Sequence, residues 1–418
     1  MTKDFELINE CIACGSKDDL VPLLDLGIQP LANSYVKDPN ESELMFPLAT
    51  NLCKNCFHVQ LTGKVNPDLL FKNYLYVSGT AKTQLDYFDW FARFVVENQS
   101  TVLSVLDIGC NDGSQLNSFL KFSAKQDDRY LRLKILTNGV DPATNLFNIS
   151  SEKHNVYCGY FDTDYANVHE NQHDVLICQN AFAHNYNQLM FLKNMARVVR
   201  RDGFVYITTS QADMILKGEF DTIYHEHLSF FSVLSMSQLC ERAGLYIHEV
   251  LKHPIHGTSF IFVLTKNEER RRDNYLDLII EQEKASGLYD ENIYTAYKYE
   301  CQEIINDFST YTHKLSNSGV TVVGYGAPAK GNTLLNASKA KLDFIIDDNP
   351  LKQGLYTPGT HIPIYSSKKL EEYKDVESLV FVPLAWNFFD EIRAKIKKTR
   401  PDKKDLFLRT YPYIHEES

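Results

Sequence analysis

From about residue 101 the chain alternates short β-rich runs with helical stretches, and this alternation restricts its fold more than any other feature. The runs "TVLSVLDIG", "LKILTNGVD", "HDVLICQN" and "GFVYITTS" read as strands separated by helix-like segments. That order calls for an open parallel sheet with helices on its faces. A second α/β unit opens on "GVTVVGYGA" and continues through "LDFIIDD" and "SLVFVPLA". Between the two lies a polar, proline-free stretch from about residue 266 to 318, rich in Glu, Lys, Asp and Tyr, which reads as one or two connecting helices.

The front segment, residues 1–75, has a different texture, with turn-forming Gly, Pro, Asn and Asp and little sustained periodicity. Its apolar content looks insufficient for a core of its own, as in small metal-stapled units. Of the nine cysteines, Cys11 and Cys14 form one CxxC and Cys53 and Cys56 another. These are the four thiolates that tetrahedral zinc takes in a closed structural site. Sulfur at all four positions leaves none for water or substrate, so the metal is expected to hold structure; His58 is a competing ligand. Cys110, Cys158, Cys178, Cys240 and Cys301 read as small core residues.

A length of 418 residues calls for two or three domains. The net charge of −11 argues against a dominant nucleic-acid role, which needs a basic face. No run approaches the roughly 20 apolar residues of a membrane span, and the sequence from Met1 to Asp4 leads into polar residues without a secretory core. The expectation is a cytoplasmic monomer that binds neither nucleic acid nor membrane.

The first strand of the central sheet runs into "DIGCNDGSQLNSFL", placing Gly109 and Gly113 on the turn before its helix, where the backbone approaches a ligand closely. The spacing GxxxG differs from the dinucleotide GxGxxG and suits a ligand with no pyrophosphate, such as S-adenosylmethionine. Asn111 and Asp112 complete the turn and Asp107 orients it. About 30 residues on, Asp141 ends the next strand, where an acidic side chain accepts from ribose hydroxyls. Asn180 ends "HDVLICQN" at the same sheet edge, and His184 follows it.

The segment "EFDTIYHEHLSFFS" places Tyr224, His225, Glu226 and His227 at consecutive positions. If extended, Tyr224 and Glu226 share one face and His225 and His227 the other, while a bend brings more of them together. Carbon methylation needs such groups, because a C–H beside a ketone must lose its proton and the enolate oxygen must be stabilised. A HisxHis metal pair and a polar loop are the blander alternatives. Tyr74 and Tyr76 are candidates to enter the same pocket, and spacing does not choose between them.

With "LDLGIQPLANSY", "LDIGCNDGS", "NAFAH", "FDTIYHEHLSFFS", "VVGYGAPAKGNTLLN" and "IDDNPLKQGLYTPGTHIPI" in place, nearly the whole chain resembles the S-adenosylmethionine-dependent sugar C-methyltransferases, which act on nucleotide-linked 4-keto-deoxysugars. The resemblance implies an α/β protein in three parts: a zinc-binding domain over 1–75, a Rossmann-like class I methyltransferase domain over 76–265, and a helical connector with a Rossmann-like substrate domain over 266–418. It further implies that Tyr224, Glu226 and His227 handle the proton and the enolate, with His184 and Tyr76 in the sugar pocket. His225 is expected at the substrate, and Lys330 or Asn336 at its phosphates. The chain departs from many relatives by reading "HGTSFIF" at 256–262 where they read close to "GGSLR", which puts the substrate in question more than the reaction. "GYGAPAKG" at 324–331 reads as a phosphate cradle of backbone amides beside Lys330, and not as an NAD site.

Overall fold

The structure is a computed structural model that describes residues 4–72, 74, 77–80, 82–99, 102, 104–123, 135–209, 211–255 and 259–418. Tyr76 and His256 to Thr258 lie outside the described residues.

At the centre is a seven-stranded sheet in the order Tyr246–His253, Ser259–Thr265, Val199–Thr209, His173–Gln179, Ser104–Ile108, Leu136–Asp141, Asn155–Cys158. The last five of these are mutually parallel, with Leu106 opposite both Asn138 and Leu176. Every residue of Ser104–Ile108 is buried, as expected of a strand covered on both faces. The parallel expectation needs one correction: Ser259–Thr265 is antiparallel to both its neighbours. It follows Tyr246–His253 by a short connection, and strands joined so closely pair antiparallel.

A second sheet, in the order Ile364–Tyr365, Phe344–Ile346, Val322–Tyr325, Val380–Pro383, Leu406–Arg409, His415–Glu417, is parallel except for its final pair. Helices Asp273–Ala285 and Glu291–Asn317 connect the two. In the longer one Asp290 caps the first turn. Tyr294, Tyr297, Cys301, Ile304, Ile305, Phe308 and Thr312 bury one helical stripe, and Gly319 at φ +73° follows its end.

The front segment is more regular than its sequence reads. Leu20–Pro30 and Met45–Cys53 pair antiparallel, and Val59–Leu61 extends the sheet. Register shifts between Pro22 and Leu24 and between Asp25 and Ile28 break the alternation that would have marked a strand. The fourth strand of this sheet, Ser229–Phe230, comes from directly behind the Tyr224–His227 cluster. Leu23, Leu24, Leu48, Leu52 and Val59 share one apolar core with Tyr297, Ile304 and Phe308 and with Val322 and Val380 of the second sheet. At about 1.5–3 kcal/mol for each large side chain fully buried, this shared core supplies what the front segment lacks alone.

Candidate active site

The four sulfurs of Cys11, Cys14, Cys53 and Cys56 all lie within 4.8 Å of one another. The separations are 3.6 Å for Cys11–Cys56 and 3.7 Å for Cys14–Cys53. Zn–S bonds of about 2.3 Å in a tetrahedron require S–S edges of roughly 3.8 Å, so the donor set fits zinc. His58 is not among these donors; its Nε2 lies 3.1 Å from Ser229 Oγ.

A cavity of about 970 Å³ is lined from three directions: the carboxyl ends of the central strands, the carboxyl ends of the second sheet, and Asn33, Phe71 and Tyr74 of the front segment. That is large enough for more than one small ligand. At its cofactor end the chain turns at Gly109, φ +80°, where a Cβ would come within 2.7 Å of Ala181 Cβ. Asn111 and Asn180 also adopt positive φ, tolerated best by this residue type after glycine. Asp141 lines the cavity, one carboxylate oxygen accepting from Asn111 N and the other from Ala143 N, both at 2.8 Å. Burial pushes its carboxyl up. Asp112 does not line the cavity but accepts from Gly79 N at 3.0 Å and Ser114 N at 3.1 Å, and Asn111 Oδ1 accepts from Ser78 N at 3.0 Å. Gly113 and the buried Asp107 also sit behind the wall. Burial drives the Asp107 carboxyl well up, with the charges of Asp141 and Asp112 adding to the effect.

Tyr224–His227 forms a bend and not a strand, with His227 N donating to Tyr224 O at 2.9 Å. The bend brings Tyr224 Oη to 2.6 Å from His227 Nε2. His227 Nδ1 donates to Thr222 O at 2.8 Å, which leaves the Nε2 lone pair to accept the tyrosyl proton. Both side chains line the cavity, as does His184, whose ring lies 5.1 Å from that of His227 and stacks at 5.7 Å on Phe71. Burial lowers His184 to about 4, and its Nε2 has no hydrogen-bond partner.

Two expectations are corrected here. His225 does not reach the cavity, because the bend turns its ring edge-on to Phe46, where it is 2% exposed. Asn336 is spent on the fold, donating to Asn332 O at 2.8 Å and Pro358 O at 3.0 Å. Glu226 stands one layer back: it accepts from Asn33 Nδ2 at 2.6 Å and Tyr74 Oη at 2.9 Å, and those two residues line the cavity. Lys330 lines the cavity with Nζ 4.8 Å from the centre of the Trp386 ring. The amides of Gly326 and Ala327 are already bonded to Ile346 O and Asp347 Oδ2, both at 2.7 Å, so the cradle expected of this loop is partly closed from within. Sequence reasoning missed Asn33 and Glu219 as cavity residues, although both lie inside strings singled out for other reasons. Burial raises Glu219 to about 7.

Three family models match in succession: a zinc binding domain at residues 11–71, a methyltransferase domain at 80–250, and the C-methyltransferase C-terminal domain at 254–408. The C-methyltransferase NovU of Streptomyces niveus is 27% identical over 399 residues, 92% of this chain and 91% of that protein. Together the three matches run from residue 11 to residue 408 and show a C-methyltransferase assembled from these domains. This C-methyltransferase depends on S-adenosylmethionine and carries a zinc-binding front domain. Among solved structures, a SAM-dependent methyltransferase from Aquifex aeolicus is 18% identical with a TM-score of 0.34, covering 44% of this chain and 93% of that one. The plantazolicin methyltransferase BpumL in complex with SAH is 15% identical with a TM-score of 0.34, covering 44% and 83%. The donor set at the cofactor end suits S-adenosylmethionine: the Asp141 carboxylate offers acceptors for ribose hydroxyls, and Phe161 and Ala181 supply apolar surface in the same cavity.

Proposed function

We propose that this C-methyltransferase methylates the carbon beside the ketone of a nucleotide-linked 4-keto-deoxysugar, at C3, through an enolate. The reading divides the chain into a zinc-binding domain (1–75), a catalytic domain (76–265) and a substrate-holding domain (266–418). The observation that carries it is the Tyr224–His227 hydrogen bond, which opens on the same cavity as Asp141. The C–H proton passes to Tyr224 Oη as the tyrosyl proton passes to His227 Nε2, so the imidazole holds the net proton and Thr222 O steadies the resulting cation through Nδ1–H. His184, kept neutral by burial, lines the same cavity and serves as the ring N–H donor that stabilises the enolate oxygen. Asp141, Asn111, Asn180 and the turn at Gly109 hold the cofactor, backed by Asp107, Asp112 and Gly113. When bound, S-adenosylmethionine supplies an electrophilic methyl group on a sulfonium centre. Lys330 faces the anionic part of the sugar nucleotide. Support from the family is coarser: C-methylation is common ground, and the keto sugar rests on this geometry together with the resemblance of the motifs.

The test is a screen of nucleotide-linked keto sugars for methyl transfer, with the product read by NMR. A carbon-bound methyl is expected, and a methoxy or N-methyl signal would replace the reading by O- or N-methylation. In the His227→Ala enzyme turnover should fall by about 10²-fold or more while calorimetry still registers S-adenosylmethionine. Full turnover by that variant would remove the assignment.

A further inference from the structure

The strand Leu20–Pro30 leaves the zinc-bearing sheet and continues into a short segment, Leu31 to Val36, whose residues bond to several distant elements. Ala32 O accepts from Asn332 Nδ2 at 2.7 Å, and Tyr35 donates its hydroxyl to Ala327 O. Val36 and Tyr356 exchange backbone hydrogen bonds at 3.1 and 2.9 Å. The segment is therefore fixed at both ends to the C-terminal part of the molecule. In its middle Asn33 reaches the other way, into the catalytic segment, and Nδ2 donates to Glu226 Oε1 at 2.6 Å. The second carboxylate oxygen accepts the Tyr74 hydroxyl at 2.9 Å. Asn33 and Tyr74 line both the main cavity and a separate small one of about 30 Å³, and Glu226, 2% exposed, lines only the small one.

We propose that Asn33 is a positioning residue, delivered by the zinc-bearing unit, that fixes the Glu226 carboxyl and through it the Tyr74 ring in the wall of the reaction cavity. This rests on the reading of Glu226 as part of the proton-handling segment and extends it by naming what holds that carboxyl. A neutral amide suits this role, since it orients the carboxyl without locking it in the charged form, as an arginine in the same place would. Burial raises Glu226 to about 7, while the bonds from Asn33 and Tyr74 and the charge of Lys352 pull it down. The flanking His225 and His227 face elsewhere, toward Phe46 and Tyr224. Deleting the Asn33 donor removes the largest of the lowering influences.

The experiment is an infrared pH titration of the full-length, zinc-loaded protein without sugar substrate. It follows the protonated-carboxyl stretch assigned to Glu226 by its loss in Glu226→Gln. In Asn33→Ala the midpoint should move up by about one unit, a tenfold change in proton affinity. An unchanged midpoint in folded Asn33→Ala, or no Glu226 band at any pH, overturns the proposal. If Asn33→Ala does not fold, Asn33→Ser, whose side chain is too short to make the bond, is read by the same criteria. The titration needs no turnover, so a failed keto-sugar screen beside a shifted midpoint would sink the functional reading and leave this one standing.

Discussion

His184 and His227 stand with ring centres 5.1 Å apart, close enough that two imidazolium ions would repel strongly. Burial resolves the conflict by lowering His184 to about 4, so its ring stays uncharged near neutral pH. Glu226 is displaced in the other sense, raised by burial to about 7 against an ordinary value of 4.5. A carboxyl whose folded value is raised contributes stability fully present below about 4.5 and lost as pH rises through about 7. Glu226→Gln, which cannot ionise, should therefore gain thermal stability relative to the unmodified protein between about pH 5 and about pH 8. Calorimetric scans at the two pH values check this, and a pH-independent difference would contradict it.

At the scale of elements, the cofactor turn is clamped from outside by the segment at Ser78 and Gly79, through Asn111 and Asp112. A Cβ on Gly79 would come within 2.5 Å of Asp112 Oδ2 and would also collide with Ser114 Oγ. Gly79→Ala should accordingly weaken S-adenosylmethionine binding by about tenfold, or 1.4 kcal/mol, in a calorimetric titration. The strands and helices that build this end of the site were legible in the sequence because their apolar runs are short, buried and bounded by turn residues. The strands of the front segment were not, because two register shifts in Leu20–Pro30 scramble the alternation. The same limit applies to the catalytic segment: adjacency showed that Tyr224 and His227 belong together, but only the bend shows that they bond to each other while His225 turns inward to Phe46. Asn33 carried no local signal at all, since its partner lies 193 positions away.

Across the whole molecule, side-chain hydrogen bonds fasten the C-terminal part to the catalytic segment. Trp386 Nε1 donates to Asp221 Oδ2 at 2.7 Å, and Thr333 Oγ1 donates to Ile223 O at 3.1 Å. Asp221 is fully buried, and the indole, with Lys330 and Tyr411 nearby, carries much of the satisfaction of that carboxyl. Trp386→Phe should cost about 1–3 kcal/mol in a denaturation experiment, the penalty for a buried polar group left unpaired. The double variant with Asp221→Ala should lose less than the sum of the two single changes.

The two-residue strand Ser229–Phe230 has a consequence for building hybrids of such enzymes. Leu228 O accepts from Leu61 N at 3.0 Å and Ser229 pairs with Gln60, so part of the front sheet is encoded more than 160 positions downstream of the rest. Exchanging front ends between relatives at a single crossover would leave each graft missing its own fourth strand. A working chimera has to carry the stretch around Leu228 to Phe230 along with the cysteines.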